Sequence, residues 1–348
     1  MTALAIQREV PLAPLTTLEL GGPAKHFIRA EDEQTLVAAL RWAAERELRS
    51  TILAGGSNVI VPDRGYDGLV IHMKIGGLDF YEGGAVQVGA GVPWEAVVDG
   101  AVSRGWAGLE CLTGIPGSTG ATPIQNVGAY GQEVAEVIEH VRVLHRDTLS
   151  FDTWKPEECG FSYRGSRFKR DPDRFVVCAV CFALRPGGPG TVRYAELENA
   201  LPPGASLTEI RRAVLELRRR KSMVLDPNDP NRRSAGSFFL NPVVPVAVAD
   251  RIAEQAAREG LVARPADCPR FAAEPGLVKL AAGWLIEKAG IAKGTRRGAV
   301  GVSSNHALCL VHHGGGTTAE LLAFAEEIQA RVEARFGVIL EREPQFLA

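Results

Sequence analysis

The sequence predicts a protein of mixed helices and strands in two or three domains, and three observations in the 348-residue chain carry that prediction. Residues 17–54 alternate strand-like, helix-like and strand-like stretches, a β–α–β unit ending in Gly55-Gly56-Ser57-Asn58. A second glycine-rich run, Thr113 to Glu133, interrupts the middle of the chain. A linker rich in proline and asparagine, DPNDPNRRSAG at 226–236, then precedes a C-terminal part with three helical stretches and marks a domain boundary.

The elements follow in order. Residues 17–30 read as a strand, a turn and a second strand. Asp32 is placed to cap a helix over about 33–47, with Leu36, Val37, Leu40 and Ala44 on one face. Ser50–Ala54 is a strand. No GxGxxG accompanies it, so the unit is not a Rossmann one. Short strands at 68–73 and 85–90 precede a helix opened by Pro93. Strands at 137–146 and 174–184 flank a polar stretch, Cys159 to Lys169. Residues 186–204 form a proline- and glycine-rich insertion around Tyr194. Ser206 and Glu209 make a capping box for a helix that turns Ile210, Val214 and Leu217 inward. Beyond the linker, Pro245 opens a helix that ends near Gly260. A second helix, VKLAAGWLIEKAG, stops at Gly290, and a third, capped by Thr317 with Glu320, stops at Gly337. His306–Val311 and Gly337–Glu341 are predicted strands. There are no internal repeats.

The run from Thr113 to Glu133 holds five glycines and two prolines in twenty-one residues, which excludes a regular helix or a central strand. Ile115, Ile124, Asn126, Val127 and Tyr130 punctuate it, so it is anchored rather than disordered. Glycine lets a backbone approach a ligand closely and turns successive N–H groups into one concavity. Neither this run nor GGSN contains a Lys or Arg. Together they predict a dinucleotide held by main-chain amides.

Composition excludes other classes. Hydrophobic residues make up 46%, charged residues 23%, and the net charge is −2. That is an ordinary globular composition with no basic excess for nucleic acid or a membrane surface. The first fifteen residues lack a secretory pattern, and no apolar run reaches the roughly 18 residues a membrane span requires. Cys178 and Cys181 form a lone CxxC inside a strand, where i and i+3 are expected on opposite faces. They are read with Cys111, Cys159, Cys268 and Cys309 as buried thiols of a reducing, cytoplasmic compartment. His140 and His145 lie on a strand without a third ligand, so no metal site is expected. The HHGGG at 312–316 lacks a nucleophile elbow and reads as a turn.

Five stretches together, in one order, resemble the UDP-N-acetylenolpyruvoylglucosamine reductase family. They are LAGGSNVIV at 53–61, GIPGSTGATPIQNVGAYGQE at 114–133, CGFSYRGSRFK at 159–169, AGSFFLNPVV at 235–244 and LEREPQF at 340–346. The resemblance implies a vanillyl-alcohol oxidase/PCMH-type FAD-binding fold of two subdomains plus a smaller α+β substrate-binding domain. It implies an FAD-binding domain over 1–220 (subdomains about 1–70 and 71–220). A substrate-binding domain over 221–348 would follow, its C-terminal tail returning to the active site. It implies NADPH as electron donor, FAD as cofactor, and reduction of the enolpyruvyl ether of a UDP-sugar to the lactyl ether of UDP-N-acetylmuramate, for peptidoglycan. No nucleic-acid, membrane or obligate protein partner is expected.

That chemistry needs a cation at the substrate carboxylate, a proton donor for the adjacent carbon, and a rigid frame. By resemblance the first two roles fall to Arg164 and Ser237, and Glu343 completes the charge arrangement about the enolate. Glu341 is a rival to Glu343, and Pro344 departs from the family's pattern. The cofactor-binding positions implied are Gly55, Gly56, Ser57, Asn58, Gly114, Ile115, Pro116, Gly117, Gly120, Ala121, Thr122, Asn126, Gly128, Tyr130 and Arg218. Tyr194, Lys221 and Asn241 are implied substrate holders. The rival readings are an FAD-dependent oxidase of the same fold and a non-enzymatic flavin-binding protein. The first would not need Ser237 and Glu343 in these contexts, and the second would need none of the three.

Overall fold

The computed structural model describes residues 4–347. The chain packs into two compact units. One comprises residues up to Pro11, Pro23–Gly56 and Gly65–Leu225, and the other Leu12–Gly22, Ser57–Arg64 and Asp226 onward. The boundary at 225/226 falls at the predicted linker. A single cut at 220 does not describe the packing, because two early segments join the later unit.

In the first unit a four-stranded sheet runs Gln7–Pro11, Pro23–Ala30, Tyr66–Met73, Ser50–Leu53. The first pair is antiparallel and the other two are parallel. The helix Glu33–Ala44 starts where Asp32 accepts a hydrogen bond from Thr35 N at 2.6 Å. It buries Leu36, Ala39, Leu40 and Ala43, the i, i+3, i+4, i+7 stripe of an amphipathic helix. These side chains meet Ile28, Leu69 and Ile71 from the sheet.

A five-stranded antiparallel sheet follows, in the order Phe151–Trp154, Ile138–His145, Phe175–Ala183, Ala85–Gly89, Leu78–Phe80. One face, with Val141, Val143, Val177, Val180 and Phe182, packs on the helix Trp94–Ser103 through Trp94, Val97, Val98 and Ala101. Leu144, Val176 and Cys178 join the first sheet's core instead. Being buried on both faces, the central strand reads FVVCAVCFA, nearly all apolar.

That strand corrects the reading of its cysteines. Arg142 opposes Ala179 while Val143 opposes Val177, which leaves Cys178 as an unopposed bulge residue. The bulge resets the alternation, so Cys181 turns away from Val180 and Phe182 as Cys178 does. All six cysteines are free and buried.

In the second unit, Ser234–Ser237, Cys309–His312, Val300–Val302 and Arg296–Arg297 form one antiparallel sheet. Val243–Pro245, Leu277–Leu280 and Arg270–Ala272 form another. Helices Val246–Arg258, Ala282–Lys288 and Thr318–Phe336 cover a core that includes Phe238, Phe239, Ile252, Leu285, Phe324 and Ile328. Leu18, Leu20 and Ile60 lie in the same core, which is why their segments belong here. His312 Nδ1 contacts Leu18 O at 3.1 Å and Thr318 Oγ1 donates to Val61 O at 2.7 Å. Asp63 accepts from Thr318 N and Ala319 N, adding an external carboxylate to the N-terminus of the longest helix.

Three element predictions change. Residues 17–20 alternate like a strand but anchor Leu18 and Leu20 in the core with no strand partner, and Glu19 has a left-handed φ of 51°. Residues 278–280, read as the start of a helix, belong to the strand Leu277–Leu280. Residues 337–341 are not a strand, whereas Gln345–Phe346 pair in parallel with Val59–Ile60.

Candidate active site

In the first unit the two glycine runs touch. A Cβ on Gly55 would lie 2.6 Å from Gly117 Cα and 2.9 Å from Ser118 N, so only glycine permits the approach. Beside that contact, the buried Ser118 hydroxyl has no hydrogen-bond partner. The long run is fixed from behind. Gly114 N donates to Glu95 Oε2 at 2.6 Å and Thr113 Oγ1 to Glu95 Oε1 at 2.7 Å, while Arg211 pairs with the same carboxylate at 2.7 Å. Thr119 N and Gly120 N donate to Val92 O and Ala90 O at 2.8 and 2.9 Å. Thr119–Ala121 and Thr122–Gln125 are single helical turns, and Asn126 ends them with φ 42°.

The prediction of an all-amide cradle therefore needs correction. The N–H groups of Gly114 and Gly120 are engaged inside the protein. The Asn126 side chain, 1% exposed, donates to Glu133 Oε2 at 2.8 Å and Ser162 O at 3.0 Å, and accepts from Ala135 N at 3.3 Å. Its polar atoms face protein, not a ligand.

A buried cation lies beside the run. Arg218, 8% exposed, donates to Gly114 O at 3.2 Å and Met223 O at 2.7 Å, and its Nε has no partner. No carboxylate pairs with it among the described residues. Burial depresses its guanidinium to about 10, partly countered by Tyr130 and Glu95. A buried cation without an anion is costly unless a ligand supplies one. An orphaned hydroxyl, a contact only glycine allows, and this guanidinium fit a diphosphate-bearing cofactor.

Arg164 is tied to the same run. Ser162 and Gly165 exchange backbone hydrogen bonds at 3.0 and 3.1 Å, closing a tight turn with Arg164 at φ 51°. The Arg164 guanidinium donates to Asn126 O at 3.3 Å and to Gly128 O at 2.5 Å. A Cβ on Gly128 would lie 2.8 Å from Arg164 Nη1. Ser166 Oγ donates to Ile124 O at 2.7 Å and caps the turn Arg167–Arg170, and Lys169 Nζ donates to Arg164 O at 3.0 Å.

The implied substrate holders Tyr194 and Lys221 gather around Tyr130. The rings of Tyr130 and Tyr194 meet edge-on at 6.4 Å, Lys221 Nζ lies 5.9 Å from the Tyr130 ring centroid, and it pairs with Glu196 at 2.7 Å. Burial pushes the Tyr130 phenol up to about 12. The insertion is moored by the fully buried Glu110, which accepts from Thr191 N at 2.6 Å and Gln132 Nε2 at 3.2 Å.

In the second unit Ser237 and Glu343 are neighbours through the backbone. Ser237 ends a strand opposite Cys309. Glu343 N donates to Phe238 O at 3.0 Å, Phe239 bridges Arg342, and Leu240 N donates to Glu341 O at 2.9 Å. Glu341 is exposed whereas Glu343 is half-buried, and buried Pro344 leads into Gln345 N donating to Asn58 O. Asn241 Oδ1 caps the helix Ala282–Lys288 by accepting from Ala282 N at 2.9 Å. Ser57 and Asn58 lie in this unit, so GGSN divides after Gly56. His312 spans Leu18 O and Gly316 N, confirming a turn there.

The residues that the sequence left unnamed are Ser118, Glu95 and Glu110. Ser118 carried a signal, a hydroxyl inside Gly117-Ser118-Thr119-Gly120. The two glutamates sit in ordinary helical surroundings and carried none.

A glycine-lined cradle with a buried cation, set on these sheets, is the apparatus of a flavin-dependent oxidoreductase, and the family model for the FAD binding domain matches residues 24–148. The model for the UDP-N-acetylenolpyruvoylglucosamine reductase C-terminal domain matches residues 227–347. The chain is 46% identical to the UDP-N-acetylenolpyruvoylglucosamine reductase of Salinispora arenicola, over 97% of this chain and 94% of that one. It is 47% identical to that of Saccharopolyspora erythraea, over 96% and 93%. The crystal structure of the Thermus caldophilus reductase superposes with a TM-score of 0.68 at 26% identity, covering 99% of this chain and all of that one. The chain belongs to the UDP-N-acetylenolpyruvoylglucosamine reductase family and has its fold, with an FAD-binding domain.

Proposed function

We propose that Arg164, Ser237 and Glu343 carry the reaction for which the family is named. The chain is an NADPH-dependent flavoenzyme that reduces the enolpyruvyl group of UDP-N-acetylglucosamine enolpyruvate to give UDP-N-acetylmuramate, in peptidoglycan precursor synthesis. Bound FAD supplies hydride-transfer chemistry between NADPH and the enol ether. The protein must hold the negative charge that develops beside the substrate carboxylate and deliver one proton.

Arg164 suits the first task. A guanidinium can fork onto a carboxylate, and two backbone carbonyls fix this one. Ser237 donates the proton, a role for which a lone hydroxyl is a weak acid and so needs charged neighbours. Glu343 completes the charge arrangement. Its half-burial and backbone bond beside Ser237 favour it over the exposed Glu341.

We assign Gly55, Gly56, Ser57, Asn58, Ile115, Pro116, Gly117, Ala121, Thr122, Tyr130 and Arg218 to holding FAD, and add Ser118. Gly114, Gly120, Asn126 and Gly128 shape the run. Tyr194, Lys221 and Asn241 hold the UDP-sugar. A cytoplasmic setting, where NADPH is supplied, suits six free thiols.

The observation that carries this reading is the attachment of Arg164 to the glycine run through Asn126 O and Gly128 O. The test is a two-step anaerobic titration. The purified protein should be yellow, NADPH should bleach it, and the UDP-enolpyruvyl sugar should restore the colour. Restoration by oxygen but not by the sugar would identify an oxidase instead.

A further inference from the structure

A second irregularity in the central strand pair joins three side chains that the reductase chemistry does not use. Ile138 lies opposite Phe182 and His140 opposite Cys181, which leaves Glu139 unopposed. A bulge of this kind lets two successive side chains leave a strand on one side. Glu139 and His140 thus both meet Cys181. A carboxylate oxygen of Glu139, a ring nitrogen of His140 and the Cys181 sulfur all lie within 4.8 Å of one another.

The Cys181 thiol donates to Glu139 Oε2 at 3.2 Å. Among the described residues nothing else bonds to the Glu139 carboxylate, and nothing bonds to the His140 ring. Among the described residues no Lys or Arg pairs with the cluster, although exposed carboxylates elsewhere in the chain pair repeatedly with arginine. A carboxylate, a thiol and an unengaged imidazole are thus held together with no cation to justify it.

We propose that Glu139, His140 and Cys181 bind one divalent transition-metal ion of the zinc class, with water as the fourth ligand. A sulfur and an imidazole nitrogen select zinc-like ions over magnesium or calcium, which prefer oxygen alone. Metal–ligand lengths of about 2.0–2.3 Å put the ligand atoms of a tetrahedron about 3–4 Å apart. The Glu139–Cys181 contact already meets that spacing, and half-exposed His140 needs only a small ring movement. On binding, the thiol gives its proton to water as the sulfur–metal bond forms, the imidazole binds through a neutral nitrogen, and no electrons change hands. The ion would clip two central strands together where their ladder is broken.

The test uses the flavin-loaded full chain, free of any affinity tag and stripped with a chelator. Cobalt(II) is titrated anaerobically while absorption is followed in the red, beyond the flavin bands. One equivalent should give the intense d–d bands of tetrahedral cobalt, which zinc should then abolish. Cys181→Ser should weaken binding about tenfold or more and shift those bands. His140→Ala, at a half-exposed position, should weaken binding similarly and serves should Cys181→Ser fail to fold. Cys268→Ser, at a buried thiol in the other unit, should leave the titration unchanged. Absence of stoichiometric cobalt binding, or equal affinity in wild type and His140→Ala, would overturn the proposal.

Discussion

At the residue scale the site depends on side chains that hold other side chains. Asn126 stands in a left-handed conformation and spends its polar atoms on Glu133, Ser162 and Ala135, so it fixes the turn that carries Arg164. Asn126→Gly keeps the backbone conformation but removes that brace. It should leave FAD bound and lower the rate of sugar reduction by about tenfold or more, a cost of 1–3 kcal/mol for a lost buried network. A stopped-flow comparison of the two half-reactions checks this, and equal loss in both would refute it. Ser237→Ala should leave flavin reduction by NADPH nearly intact and slow reduction of the sugar by about 10²–10⁴-fold, the usual share of general acid catalysis. The trio proposed for the reaction could be named from the sequence because each residue sits in a distinctive string. The brace was not, because the tie between Asn126 and Ser162 crosses thirty-six positions and leaves no local pattern.

At the element scale, helix ends were legible and strand irregularities were not. Asp32, Ser206 with Glu209, and Thr317 with Glu320 all cap the helices they announce, since capping is local chemistry. Ser206→Ala should cost about 1 kcal/mol and lower the thermal midpoint by a few degrees in calorimetry. The bulges at Cys178 and Glu139 depend on which residue the neighbouring strand offers, so period-2 alternation misassigned the CxxC. The same limit applies to residues 17–20, whose alternation reflects burial of two leucines rather than a ladder. Contact between the two glycine elements gives a sharper prediction. Gly55→Ala would drive a Cβ into Gly117 backbone, which cannot rotate away. The variant should purify with little or no flavin, read as the ratio of flavin to protein absorbance. Full flavin content would show that the contact is dispensable.

At the scale of the whole molecule, pH acts through a buried histidine. Burial, with Lys74 and Arg29 nearby, pushes His72 down to about 4, although a bond to Ala54 opposes this. The unfolded chain, near 6.5, takes up the proton first. The stability that neutral His72 contributes is therefore complete above about pH 6.5 and is lost as pH falls towards 4. Thermal midpoints measured across that window should fall less steeply in His72→Gln than in the wild type. Parallel slopes would show that other groups govern acid unfolding.

The later unit is assembled from pieces at residues 12–22, 57–64 and 226 onward, with Gln345 and Phe346 completing a two-stranded ladder beside Val59 and Ile60. During translation, Leu18 and Leu20 leave the ribosome long before the core that receives them exists. The first unit has all its segments once residue 225 has emerged, so it can close while those two leucines are still exposed. Chaperone dependence of the nascent chain should accordingly peak between synthesis of residue 225 and that of residue 346, and end when the ladder at Val59 forms.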